Sequence, residues 1–143
     1  METKIGRTIQ VFVFTRGETP KFLLLRTTVK KGDFWQPVTG RMEETDNSYP
    51  AAARREVMEE TNIVDFMRFI DLKRHFSFIS QSSGIKYYER AFAIEVKCEK
   101  EVKLSDEHSE YAWVDYHQAV EMLGWKEYRK TLNKLNNIIK SGK

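Results

Sequence analysis

Gly40-Arg-Met-Glu-Glu-Thr-Asp-Asn-Ser-Tyr-Pro-Ala-Ala-Ala-Arg-Arg-Glu-Val-Met-Glu-Glu-Thr-Asn-Ile63 carries more chemical information than any other part of this chain. Its second half reads as a helix. Ser48 is a capping residue, Pro50 suits the first turn, and Ala51 to Ala53 with Val57 and Met58 favour helix and supply apolar surface. On that helix Glu56, Glu59 and Glu60 fall at i, i+3 and i+4, which puts three carboxylates on one face. Like charges at this spacing repel. No Lys or Arg follows one turn later, and Arg55, one turn before Glu59, is the nearby cation. Hard divalent ions such as Mg²⁺ relieve such a cluster, because they take carboxylate oxygens and still keep waters and substrate phosphates. The alternative is a solvated acidic helix face.

Context favours the ion. The segment closely resembles the Nudix box: a glycine, five residues, Glu, seven residues, then R-E-U-x-E-E-x-G-U with U aliphatic. Arg55-Glu56-Val57-Met58-Glu59-Glu60-Thr61-Asn62-Ile63 follows the second half, with Asn62 in place of glycine. Asn is the best non-glycine residue for a left-handed helix end, so the change is mild. The first half departs further. Counting back from Arg55, the expected glutamate falls on Asn47, with Asp46 beside it, and Gly40 lies one residue too far away. This spacing reads as a one-residue insertion before the helix, with Asp46 as the candidate to replace the supporting carboxylate.

Around this segment the composition is that of an ordinary globular protein, 41% hydrophobic and 31% charged, and 143 residues suit a single domain over 1–143. No apolar run reaches membrane-span length, and the N-terminus lacks a signal-peptide core. Cys98 is the only cysteine, which excludes an internal disulfide and a cysteine zinc site and suggests a cytoplasmic setting. A net charge of +3 is too small to indicate nucleic-acid binding by itself.

Ile5 to Thr15 reads as a buried strand, Arg16 to Pro20 as a turn, and Phe22 to Arg26 as the second strand of a hairpin. Arg26 points either into a phosphate cleft or to a surface acid. Thr28 to Asp33 is a basic loop. Phe34-Trp35-Gln36-Pro37-Val38-Thr39-Gly40 leads into the box. Gly40 allows close backbone approach to an ion, and Trp35 lines a base pocket or belongs to the core. Ile63 to Leu72 and Arg74 to Ile79 read as extended, Gln81 to Gly84 as a turn, and Ile85 to Val96 as the return strand. Tyr87 or Tyr88 stacks on a ring or packs across strands. Asp115 caps a short helix from Tyr116 to Leu123 that Gly124 ends, and Lys126 to Lys140 forms an amphipathic helix.

The resemblance extends past the box. Glu107-His108-Ser109-Glu110-Tyr111-Ala112-Trp113-Val114-Asp115 is similar to a Nudix segment in which a glutamate reaches the metal cluster. Glu107 matches it by position, with Glu110 as second choice and His108 as hydrogen-bonding support. The Phe-Trp-Gln and Val-Thr-Gly sequences look most like the bacterial subgroup that cleaves dATP and dihydroneopterin triphosphate. The resemblance implies an α/β (α+β) Nudix fold, an α/β/α sandwich around a mixed sheet, and a Mg²⁺- or Mn²⁺-dependent pyrophosphohydrolase. It assigns the ion to Gly40, Glu56, Glu59, Glu60 and Glu107 and an orienting role to Arg55, while Arg26, Trp35 and Tyr87 are the candidate substrate contacts from the residues themselves. The expected substrate is a nucleoside or pterin triphosphate, cleaved to monophosphate and pyrophosphate by a monomer or homodimer. Diadenosine tetraphosphate or an RNA 5′ end is the rival substrate. A ligand-sensing module without turnover is the rival of another class.

Overall fold

The computed structural model describes residues 4–142. Strand β1 (Ile5–Thr15) is its centre, and Ile9, Val11, Phe12, Val13 and Phe14 are all fully buried. A strand this continuously apolar must be covered on both faces, and it is. Alternate residues divide between two cores. Ile9, Val11 and Val13 join Leu23, Leu25, Val38 and Phe92 beneath helix α1 (Tyr49–Thr61). Phe12 and Phe14 join Phe22, Leu24, Ala91 and Ala93 beneath α2 (Tyr116–Met122) and α3 (Lys126–Lys140). The result is a sheet between two helical layers, the expected α/β/α sandwich.

The sheet is mixed. β1 pairs in parallel with β6 (Lys86–Glu95), which pairs antiparallel with β5 (Arg68–Ile79). The other edge of β1 is shared. Thr8 to Val11 pair with β4 (Val38–Arg41), whereas Phe14 and Thr15 pair with β2 (Lys21–Thr27). β2 continues outward to β3 (Trp35–Gln36) and β7 (His108–Val114). Where β1 changes partner, Gly40 in β4 comes against the inner face of α1.

Two sequence expectations need correction. Ile63 to Leu72 is not one strand, because β5 begins only at Arg68. Asn62 ends α1 in the left-handed conformation (φ 62°), and Ile63 and Phe66 turn down onto the core while Val64 and Met67 stay exposed. Those apolar residues seal the helix end rather than alternate along a strand. Nor does Gly124 stop α2 by a left-handed turn. The helix ends with Leu123 extended, and Arg129 Nη1 donates to the carbonyls of Leu123 and Gly124 at 2.9 and 2.7 Å.

Candidate active site

Helix α1 is fixed at both ends. Ser48 Oγ accepts from the Ala51 N–H at 3.2 Å, and the Asn62 N–H donates to the Met58 carbonyl at 2.9 Å. Ala52, Ala53 and Val57 bury one face of the helix against the sheet. That docking sets where the carboxylates stand. Glu56 and Glu60 are only 7% and 5% exposed, while Glu59 faces solvent.

Arg55 holds this group together. Its Nε and Nη2 donate to the two oxygens of Asp46, both at 2.9 Å, a bidentate pair of the strong kind. Nη2 also donates to the Arg41 carbonyl at 3.0 Å. Nη1 donates to Glu56 at 2.8 Å and Glu59 at 3.0 Å, with a Glu43 oxygen 3.5 Å away. Asp46 in turn accepts from the Glu43 N–H at 2.7 Å. The guanidinium and that N–H hold the Asp46 carboxyl below the usual range. Asp46 thus anchors Arg55 although the box spacing puts Asn47 in register.

Glu56 lies directly against Gly40, where a Cβ would overlap its carboxyl. Burial, opposed by Arg55, pushes the Glu56 pKa up to about 7. Glu60 is treated differently. Burial raises its carboxyl, but His108 and Ser105 outweigh that and leave it below the ordinary value. Ser105 Oγ donates to Glu60 Oε2 at 2.7 Å, and His108 Nδ1 is also 2.7 Å from that oxygen, though out of line for a straight hydrogen bond. Gln36 Nε2 lies 3.0 Å from His108 Nε2, and Tyr128 donates to Gln36 Oε1 at 3.5 Å. His108 thus lies between Gln36 on its Nε2 side and Glu60 on its Nδ1 side.

Glu107 is exposed, with its carboxylate 3.9 Å from Lys31 Nζ. Its loop is tied down by the Thr28 N–H donating to its carbonyl at 3.2 Å, and its carboxyl is near enough to influence Glu60. Glu110 and Arg26 pair with each other at 2.7 Å, and Arg26 also donates to Asp33 at 2.7 Å. Trp35 packs on the core beneath α3. Tyr88 faces away from Tyr87, with Lys86 over its ring.

Tyr87 lines a cavity of about 820 Å³ beside the acidic group. Phe78, Trp125 and Tyr128 give it aromatic surface, and Thr8, Gly40, Arg41 and Glu89 are also among its lining residues. Phe78 stacks on Tyr87 (centroids 5.5 Å apart) and meets Trp125 edge-on at 5.3 Å. Phe78, Trp125, Tyr128 and Glu89 were not read from sequence as site residues. The available signal was polar Gln10 and Glu89 interrupting apolar strands.

The donor set suits a hard divalent cation, since it consists of carboxylates with Glu56 and Glu59 brought to a single point. Arg55 Nη1 holds that point, and among the described residues no three His, Cys, Asp or Glu side chains form a ready cage.

The family model of the NUDIX domain matches residues 5–135, and the chain belongs to the Nudix hydrolase family. Enzymes of this class hydrolyse phosphoric anhydride bonds. Over 129 residues the chain is 33% identical to a Myxococcus xanthus protein named octanoyltransferase, a match covering 90% of this chain and 36% of that protein. The chain thus spans about a third of that relative's length, and the name belongs to the longer protein. It is 30% identical over 120 residues to dihydroneopterin triphosphate diphosphatase of Escherichia coli K12, covering 76% of this chain and 79% of that one. Among solved structures, Ap4A hydrolase of C. elegans superposes with a TM-score of 0.80 at 20% identity, over 96% of this chain and 99% of that one. That likeness is one of fold.

Proposed function

We propose that this chain is a divalent-metal-dependent pyrophosphohydrolase that cleaves a nucleoside or pterin triphosphate to monophosphate and pyrophosphate. One observation carries the reading: Gly40 belongs both to the aromatic cavity and to the carboxylate group, touching Glu56. A ring held in the cavity therefore has its phosphates beside α1.

Glu56, Glu59, Glu60 and Glu107, with the Gly40 carbonyl, are the groups that would hold the ions. Bound Mg²⁺ or Mn²⁺ supplies a Lewis acid for pyrophosphate oxygens and makes a water acidic near neutral pH. Glu56 or Glu107 takes the proton from the attacking water. The new P–O bond forms at one phosphorus of the anhydride, and the bridging oxygen leaves with the electron pair. Arg55 orients Glu56 and Glu59 from Asp46, as partners behind metal ligands do. Tyr87 offers ring surface. Arg26 is held by Asp33 and Glu110, and Trp35 packs against the core that includes Tyr128.

The test is pyrophosphate release, with and without Mg²⁺, from dihydroneopterin triphosphate, the deoxynucleoside triphosphates, diadenosine tetraphosphate and a 5′-triphosphate RNA. Mg²⁺-dependent pyrophosphate from the pterin or a nucleotide is expected. Cleavage of the dinucleotide or RNA alone would replace the substrate, and silence throughout would favour a sensing module.

A further inference from the structure

Glu89 is a carboxyl in an unexpected place. It lies on β6 two residues after Tyr87, on the same face of the sheet, and is 4% exposed in the cavity wall. Among the described residues its hydrogen-bond donors are Thr8 Oγ1 at 2.8 Å on one oxygen and Gln10 Nε2 at 2.6 Å on the other. A carboxylate offers about four acceptor positions, so two donors leave roughly half its capacity unmet. Burial, opposed by the Gln10 and Thr8 hydrogen bonds, leaves its pKa above the ordinary carboxylate value. Two further donors from a ligand would favour the ionised form, as Gln10 and Thr8 do.

The surrounding surface suits a flat heterocycle. Tyr87, Phe78, Trp125 and Tyr128 supply ring faces and edges, and Arg41 lies over Tyr87 at 5.3 Å. Among the edges of common heterocycles, only the 2-amino-4-oxopyrimidine edge shared by guanine and pterins places a ring N–H beside an exocyclic NH₂. Those two parallel donors match one carboxylate. Adenine and cytosine present an unprotonated ring nitrogen beside their amine, which would face a carboxylate lone pair. Thymine flanks its N–H with two carbonyls.

We infer that Glu89 is the specificity-determining residue of this cavity, selecting a 2-amino-4-oxopyrimidine ring, pterin or guanine, over adenine. The inference rests on the cavity being the ring site of the proposed hydrolase. Thr8 and Gln10 hold the carboxyl in place, and the ring edge supplies the two remaining bonds. Selection of this kind is strong, because a buried acceptor left without its donors penalises the wrong ring.

The experiment compares the whole wild-type chain with Glu89→Gln, using dihydroneopterin triphosphate, dGTP and dATP with Mg²⁺. Wild type should favour the first two in kcat/KM. The substitution should raise their KM about ten-fold or more, leave kcat within about two-fold, and lower KM for dATP, because the Gln amide gives a donor to the adenine ring nitrogen and an acceptor to its amine. Equal loss on all three substrates, or no change, overturns the inference. So does a wild-type preference for dATP, which needs no variant at all. Calorimetric binding of neopterin, guanosine and adenosine separates this claim from the hydrolase reading. Neopterin and guanosine bound more weakly by Glu89→Gln, with adenosine bound no more weakly, would sustain the ring selection even without pyrophosphate release. Equal binding by both proteins would end it.

Discussion

The carboxyl of Glu56 occupies the space where any side chain on Gly40 would begin. A buried acid from the helical layer thus meets the backbone of a sheet strand, and that strand also walls the cavity. Gly40→Ala should displace Glu56, with kcat falling by about 100-fold, the usual scale for misplacing reacting groups by an ångström. Pyrophosphate release by the purified variant, alongside its melting temperature, checks this. Full activity would remove the contact from the mechanism.

Glu59 is half exposed, and among the described residues its side chain bonds to Arg55. Its replacement by Gln should change stability by less than about 1 kcal/mol, as expected for an exposed pair. Activity should nevertheless drop by two orders of magnitude or more. Denaturant unfolding and Mg²⁺-dependent turnover measure the two effects separately, and undiminished turnover would show the metal assignment to be wrong.

Asp46 tests the anchor of Arg55. Asp46→Asn removes charge-assisted bonds and should cost about 2 kcal/mol at pH 7. The folded pKa is depressed, so the stabilisation is present above the unfolded carboxylate range and is lost as pH falls through the folded value. The stabilities of the two proteins, well separated at pH 7, should converge only as pH falls below the ordinary carboxylate range.

Glu56 has the opposite sign. Its folded pKa of about 7 lies above the unfolded 4.5, so the metal-free protein loses stability as pH rises through that interval. Glu56→Gln removes the penalty. In chelator, the variant should gain about 1–3 kcal/mol relative to wild type between pH 5 and pH 8. A pH-independent difference would mean that Glu56 is not strained by burial.

What could be read in the sequence was local. Ser48, Pro50 and Asn62 bound α1 through contacts within four residues, and helical spacing alone puts Glu56, Glu59 and Glu60 together. Long-range pairing was not legible. Tyr87 and Tyr88 must face opposite ways, yet which one meets the cavity depends on β6 lying parallel to β1, about eighty residues earlier. Arg26 has its partners seven residues ahead in Asp33 and on the adjacent strand in Glu110. Counting back from Arg55 singles out Asp46 as the replacement carboxylate, but its two bonds to Arg55 depend on the shape of the loop that the extra residue creates.

Arg55 Nη1 between Glu56 and Glu59 has a consequence for how the protein lives between turnovers. The guanidinium partly balances those two carboxylates and holds them together at one point. On the proposed reading, an ion would meet ligands already gathered on a folded helix, so that binding it would not need to organise them.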